Sequence, residues 1–140
     1  MPFAPCISVR DTAASIAFYK KLGFEADSSA ARSGDDIHML LYQGGFCAML
    51  YSNADLKKWL PVLADSPIGL SGMLYLGVED FDGFHGLVSQ HTEIIKGPLT
   101  EHTGQRVFYF RDLDGYVIGV NDNAAFRDSD LGSKYAETES

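Results

Sequence analysis

An internal repeat constrains the fold of this chain more than any other feature. The pattern IxVxD that ends at Asp11 returns as LxVxD ending at Asp80, and the two aspartates are 69 residues apart. Gly45 and Gly115, each at the turn of a predicted hairpin, are 70 residues apart. Two landmarks with nearly the same offset indicate a duplicated unit, and the copies are expected to fold alike.

Each copy predicts the same order of elements. In the first, a strand is followed by a helix that begins near Asp11 and ends at Gly23, because aspartate favours the N-cap and glycine the C′ position. A further strand and a hairpin over 37–51 follow, and a short helix over 55–63 carries the only tryptophan. In the second copy, the sequence predicts a short strand over 93–96, a loop and another hairpin. The pattern is therefore βαβββ, twice.

Charge and composition exclude several classes of partner. The chain of 140 residues has a formal charge of −8, whereas nucleic-acid and anionic-membrane binding favour basic surfaces. The N-terminal segment has no basic and apolar pattern of a signal peptide, and the apolar runs are shorter than a membrane span. The two cysteines form no CxxC motif. We expect a cytoplasmic protein that binds neither nucleic acid nor membrane.

Two motifs carry a resemblance to a known family. These are FYKKLGF at 18–24, which follows the strand end at Asp11, and FYFRDLDG at 108–115. The chain resembles the vicinal oxygen chelate superfamily of glyoxalase I, extradiol dioxygenases and the fosfomycin and bleomycin resistance proteins, and its pattern is most similar to the last of these. The resemblance implies an α+β fold, in which two paired βαβββ modules form a curled, cup-shaped mixed sheet with the helices outside. The expected divisions are 1–66, 67–125 and a polar acidic tail, 126–140.

The resemblance also implies where a metal would bind. Metal-dependent members carry His, Glu or Gln at two positions in each repeat. One position lies seven residues before the strand-end aspartate, and the other lies four residues after the hairpin glycine. Here these positions hold Ala4, Met73, Met49 and Gly119. None of them suits a hard or borderline divalent cation, which prefers carboxylate, imidazole or water. We therefore predict no metal and no cofactor.

Strand alternation indicates which side chains line the cup, because successive residues point to opposite faces. Methionine adapts to irregular ligands, and aromatic rings offer flat stacking surfaces. The alternative is that these side chains fill a closed core. The predicted ligand-binding residues are Met39, Met49, Tyr51, Met73, Tyr75, His102, Tyr109, Arg111 and Asn121.

Individual polar residues leave alternatives open. Arg111 either contacts an anionic ligand group or pairs with Asp112 or Asp114 in the hairpin turn. Cys6 lacks an obvious histidine partner, so a small core thiol is favoured over a nucleophile, and no catalytic residue is predicted. Trp59 or His102 is a candidate for the stacking wall that bleomycin resistance proteins build with a tryptophan before the last hairpin.

Function follows from these expectations. The leading hypothesis is a metal-free binding protein and homodimer that takes a small cationic or aromatic organic ligand, in the manner of a protein that sequesters an antibiotic. The alternatives are a lyase, isomerase or dioxygenase of the same superfamily with a displaced metal site, and a structural module whose cup is collapsed.

Overall fold

The computed structural model describes residues 3–31, 35–69, 72–101 and 104–128. The chain divides into two compact units, residues 1–70 and 71–140. None of the helices in the described ranges is long and apolar enough to cross a lipid bilayer. The first unit contains β1 (Cys6–Val9), α1 (Thr12–Lys21), β2 (Phe24–Asp27), β3 (Ile37–Tyr42), β4 (Gly45–Ser52), α2 (Asn53–Trp59) and a 3₁₀ turn (Pro61–Leu63). The second contains β5 (Leu74–Val78), α3 (Phe81–His91), β6 (Ile94–Thr100), β7 (Arg106–Arg111), β8 (Val117–Asp122) and α4 (Asn123–Arg127).

The two units have the same sheet topology. The strand order is β1-β4-β3-β2 in the first unit and β5-β8-β7-β6 in the second. In each unit the first and last strands are parallel, and the other pairs are antiparallel. The predicted α+β fold, with two βαβββ modules and mixed sheets, is confirmed. The cup between the modules and the division at residue 66 stay predictions.

Helix ends follow the predicted capping chemistry. The Oδ1 atom of Asp11 accepts the Ala14 backbone N–H at 3.1 Å, and Asp80 accepts the Gly83 N–H at 3.0 Å. Each bond satisfies a donor that the first helical turn leaves free. Gly23 has a φ of 91°, in the left-handed region that glycine adopts readily, and it ends α1. The duplicated aspartates thus begin equivalent helices.

Each sheet buries one face beneath its own long helix. In β1, Ile7 and Val9 are buried, whereas Cys6 is exposed and Ser8 half-buried. The same alternation continues through β4, where Ala48 and Leu50 are buried. The core of the first unit comprises Ile7, Val9, Phe18, Tyr19, Leu22, Phe24, Leu40, Ala48 and Leu50, and that of the second comprises Val78, Phe81, Phe84, Val88, Val107, Phe108, Phe110, Tyr116, Ile118 and Val120.

The edge strand of the second sheet is longer than the sequence predicts. The strand expected over 93–96 is β6, which continues to Thr100 rather than ending in a loop. Its pairing with β7 is irregular between Lys96 and Leu99, and it resumes where Leu99 faces Val107. Gly97 has a φ of 87° there, and a Cβ on it would lie 2.8 Å from the Val107 carbonyl oxygen. Glycine and proline, which read as a loop in the sequence, are tolerated here because β6 is an edge strand.

The buried face predicts a large asymmetry between two leucines. Leu50 is fully buried on β4, and Leu113 is 55% exposed in the β7–β8 turn. We expect Leu50→Ala to lower the free energy of unfolding by about 2–5 kcal/mol, because it leaves a cavity in the core. Leu113→Ala should change it by less than about 0.5 kcal/mol. Urea unfolding measures both, and equal effects would contradict this description of the core.

Candidate functional site

The uncovered face of the first sheet brings together three of the predicted site residues. Met49 of β4 lies opposite Met39 of β3 and beside Cys6 of β1. In the next row along the same face, Tyr51 lies between Ser8 and Ile37. Directly opposed residues on one face have Cβ atoms close enough for their side chains to touch. Met39, Met49 and Tyr51 therefore form one continuous surface, of two thioethers and a phenol.

A pocket of about 510 Å³ lies in the first unit, beside Tyr51. Helix α2 begins at the end of β4, where Ser52 caps it by accepting the Asp55 backbone N–H at 3.1 Å. Asp55 and Trp59 are four residues apart on this helix, so they share a face. Trp59 is 74% exposed. The pocket is lined by Asp35, Ile37, Tyr51, Asp55, Lys58 and Trp59.

Two carboxylates set the electrostatics of this pocket. Partial burial raises the pKa of Tyr51, and a hydrogen bond to Asp35 and the negative charges of Asp35 and Asp55 raise it further. The phenol therefore stays protonated at neutral pH and donates to Asp35. Asp55 accepts the backbone N–H of Asp36 at 3.1 Å. Lys58 adds one ammonium group, so among the described lining residues the two carboxylates are in excess.

In the second unit, two other predicted residues form a pair. Tyr75 on β5 and Tyr109 on β7 flank Gly119 of β8, which pairs with both. A Cβ on residue 119 would lie 2.6 Å from Cε1 of Tyr75 and 3.0 Å from Cε1 of Tyr109. A hydrogen bond between the two phenols, together with partial burial and the charges of Tyr75 and Glu101, raises the pKa of Tyr109 to about 12. Glycine is therefore required at 119 for the rings to meet.

The remaining predicted residues are spread over the second unit. Met73, 42% exposed, precedes β5, and Arg111 lies exposed at the end of β7. Asn121 lines a second pocket of about 440 Å³, with Gly77, Glu79, Asn123, Phe126 and Arg127. Asp112 accepts the backbone N–H groups of Asp114 and Tyr116, both at 2.9 Å, as a turn residue does. His102 and most of the predicted tail lie outside the described residues.

The second pocket is already ion-paired. Glu79 forms a bidentate contact with Arg127, with nitrogen–oxygen distances of 3.0 and 3.1 Å. Arg127 lowers the pKa of the Glu79 carboxyl through this hydrogen bonding and its charge. The amide of Asn123 packs so closely over Gly77 that a Cβ there would collide with it. Glu79 thus has a guanidinium partner, whereas the described residues that line the first pocket include no arginine.

The four positions at which the superfamily's metal enzymes hold ligands do not fit such a metal here. Ala4 and Gly119 provide no side-chain donor, and Met49 and Met73 provide only thioethers, which suit soft cations. At Gly119, moreover, the rings of Tyr75 and Tyr109 occupy the space of any longer side chain. Within the four described ranges, no group of three or more His, Cys, Asp and Glu residues is placed to hold an ion.

Sequence reasoning missed much of the first pocket. It considered Tyr51 and Trp59, but it did not connect them, and it did not select Asp35, Asp55 or Lys58. The four-residue spacing of Asp55 and Trp59 was a usable signal, because it puts a carboxylate and an indole on one helix face. Whether this helix face meets β3 and β4 depends on tertiary packing, which no local sequence pattern predicts.

Comparison with known families agrees with this geometry. The sequence profile of the Glyoxalase/Bleomycin resistance protein/Dioxygenase superfamily matches residues 3–120. The chain belongs to this superfamily. The profile spans both βαβββ modules, so the superfamily assignment covers the whole described fold apart from its last residues. Comparison with curated protein sequences finds no match.

Several solved structures share this fold. A protein of unknown function from Agrobacterium tumefaciens str. C58 has 25% identity and a TM-score of 0.72, over 87% of this chain and 94% of that one. A superfamily member from Sphaerobacter thermophilus DSM 20745 has 20% identity and a TM-score of 0.67, over 87% and 98%. A bleomycin-binding protein in complex with bleomycin has 18% identity and a TM-score of 0.58, over 86% and 96%.

The tyrosine pair predicts an unusual titration. The difference in tyrosinate absorbance between the wild-type chain and Tyr109→Phe reports the titration of Tyr109. It should show a step near pH 12, whereas an ordinary tyrosine has a pKa of about 10. Because this pKa is raised on folding, the pair stabilises the fold below pH of about 10, and that contribution is lost as the pH rises through about 12. In a Tyr75→Phe background the step should move toward 10. A step that is unchanged there would contradict the hydrogen bond.

Proposed function

We propose that this protein binds a small organic cation with an aromatic ring in the pocket of the first unit. The observation that carries the proposal is the meeting of Tyr51 and Trp59 with Asp35 and Asp55 around one pocket. Aromatic faces attract cations through their quadrupoles, and carboxylates add direct charge attraction. The two kinds of group together select for ligands that are both flat and positively charged.

The size and charge of the pocket support the same ligand class. A volume of about 510 Å³ is within the range of small-molecule sites. Because Lys58 extends on a flexible stem, its ammonium group can point to solvent while the stem covers a ligand. The formal charge of −8 gives the whole protein a field that attracts cations over longer distances. Inorganic cations have no flat face to stack on the exposed indole of Trp59.

A more specific form of the proposal is antibiotic sequestration. The bleomycin-binding protein has the same fold, and bleomycin combines positive charge with heteroaromatic rings. We propose a cytoplasmic homodimer that holds such a drug without altering it, with the thioethers of Met39 and Met49 beside the pocket adapting to its shape. The other predicted ligand contacts, in the second unit, belong to this form of the proposal.

Fluorescence of the single tryptophan provides the test. We expect N-methylquinolinium to quench Trp59 in a saturable manner, whereas uncharged quinoline, a ring of the same size, should bind at least about tenfold more weakly, for a difference of about 1.4 kcal/mol. Asp35→Asn combined with Asp55→Asn removes the charge but keeps an acceptor oxygen at each position. The double variant should weaken quinolinium binding by about tenfold or more.

Asp65→Asn is the matched control, because Asp65 is exposed and does not line the pocket. It should leave the quinolinium affinity unchanged. Equal affinities for the charged and uncharged rings, or equal losses in the control and the double variant, would contradict the proposed pocket. Metal-free bleomycin tests the specific form of the proposal, and a rise in Tm on its addition would support sequestration. If bleomycin leaves the Tm unchanged while quinolinium binding is saturable, antibiotic sequestration is rejected and the cation pocket is retained.

A further inference from the structure

A serine, a histidine and an aspartate of the first unit form a continuous chain of hydrogen bonds. The Ser28 Oγ atom lies 2.7 Å from Nδ1 of His38, and Nε2 of His38 lies 2.6 Å from Oδ1 of Asp36. Both distances are within the range in which a nucleophile, its base and an orienting group work together. Ser28 follows the end of β2, and His38 lies on β3.

The chemistry of the aspartate fixes the direction of the proton. A carboxylate only accepts hydrogen bonds, so Nε2 of the neutral imidazole carries the hydrogen and donates it to Asp36. Nδ1 then has a free electron pair and accepts the hydroxyl hydrogen of Ser28. In this arrangement His38 is ready to take the serine proton, and Asp36 stabilises the imidazolium that results.

The surroundings hold the base and leave the nucleophile accessible. The His38 side chain is only 11% exposed, and Ser28 is exposed. Thr12 Oγ1 donates to Asp36, at 2.8 Å from Oδ2 and 3.0 Å from Oδ1. The Asp36 backbone N–H donates to Asp55, and its carbonyl oxygen accepts the Ser52 N–H at 3.0 Å. The aspartate is thus fixed by α1, β4 and α2, as an orienting residue must be.

We propose that Ser28 is an activated nucleophile, which takes an acyl group from an activated carboxylic ester. Ser28 Oγ forms a bond to the ester carbonyl carbon while its proton passes to His38 Nδ1. The carbon–oxygen bond to the leaving group then breaks, and the leaving alcohol takes that proton. Water, with His38 again as base, releases the carboxylic acid and restores the serine. Acylation needs only the ester, release of the acid needs only water, and neither step requires a ligand in the proposed pocket.

Acylation by p-nitrophenyl acetate, followed by peptide mass spectrometry, tests the proposal. We expect one acetyl group on Ser28 and release of p-nitrophenol. Ser28→Ala, a change at an exposed position, should abolish the adduct. Ser29→Ala is the matched control, because Ser29 is an exposed neighbour whose backbone N–H is bonded to Asp27 rather than to the histidine. It should acylate at the wild-type rate.

The dependence on the base separates an activated serine from a merely accessible one. His38→Gln should lower the acylation rate of Ser28 by about a hundredfold, within the usual contribution of a general base. A fluorophosphonate probe, which reacts with activated serines, should label Ser28 with the same dependence on His38. Acetylation confined to lysines or the N-terminus would overturn the proposal. An equal Ser28 rate in wild type and His38→Gln, with both folded by circular dichroism, would overturn it too.

Discussion

In the described part of the chain, each sheet has two faces and one long helix to cover them, and the rest of the structure depends on that constraint. Burial beneath α1 or α3 fixes the strand register, because a shift of one residue would expose the whole apolar set. The alternate residues of each strand point away from that helix and do not pack against it. In the first unit, this opposite face carries Met39, Met49 and Tyr51, which are half-buried.

The two copies use their uncovered faces differently. Tyr51 and Asn121 are 70 residues apart and equivalent in the repeat, and each lines the pocket of its own unit. In the second unit, Glu79 is neutralised by Arg127. In the first, Asp35 accepts a hydrogen bond from the phenol of Tyr51, and Asp55 accepts one from the backbone amide of Asp36. Duplication has therefore left one polar, ion-paired pocket and one acidic, aromatic pocket.

The sequence could predict the fold far better than the site. The repeated caps at Asp11 and Asp80 and the period-two burial around Ile7 are local patterns, and the structure follows them. The pocket depends on where α2 packs after it leaves β4, and the chain of Ser28, His38 and Asp36 depends on how β3 meets the end of β2. Such contacts arise between segments, so neither hydrophobic periodicity nor short motifs reveal them. The continuation of β6 beyond Lys96 was missed for a related reason, since its irregularity is tolerated only at a sheet edge.

The methionine methyl groups offer the most direct test of the central claim, that a flat organic cation binds in the first unit. Met39 and Met49 lie one row from Tyr51 on the uncovered face, whereas Met73 belongs to the second unit. In ¹³C-methyl NMR spectra, added N-methylquinolinium should shift the Met39 and Met49 signals through its ring current. A shift confined to Met73, or no shift at saturating ligand, would contradict the account.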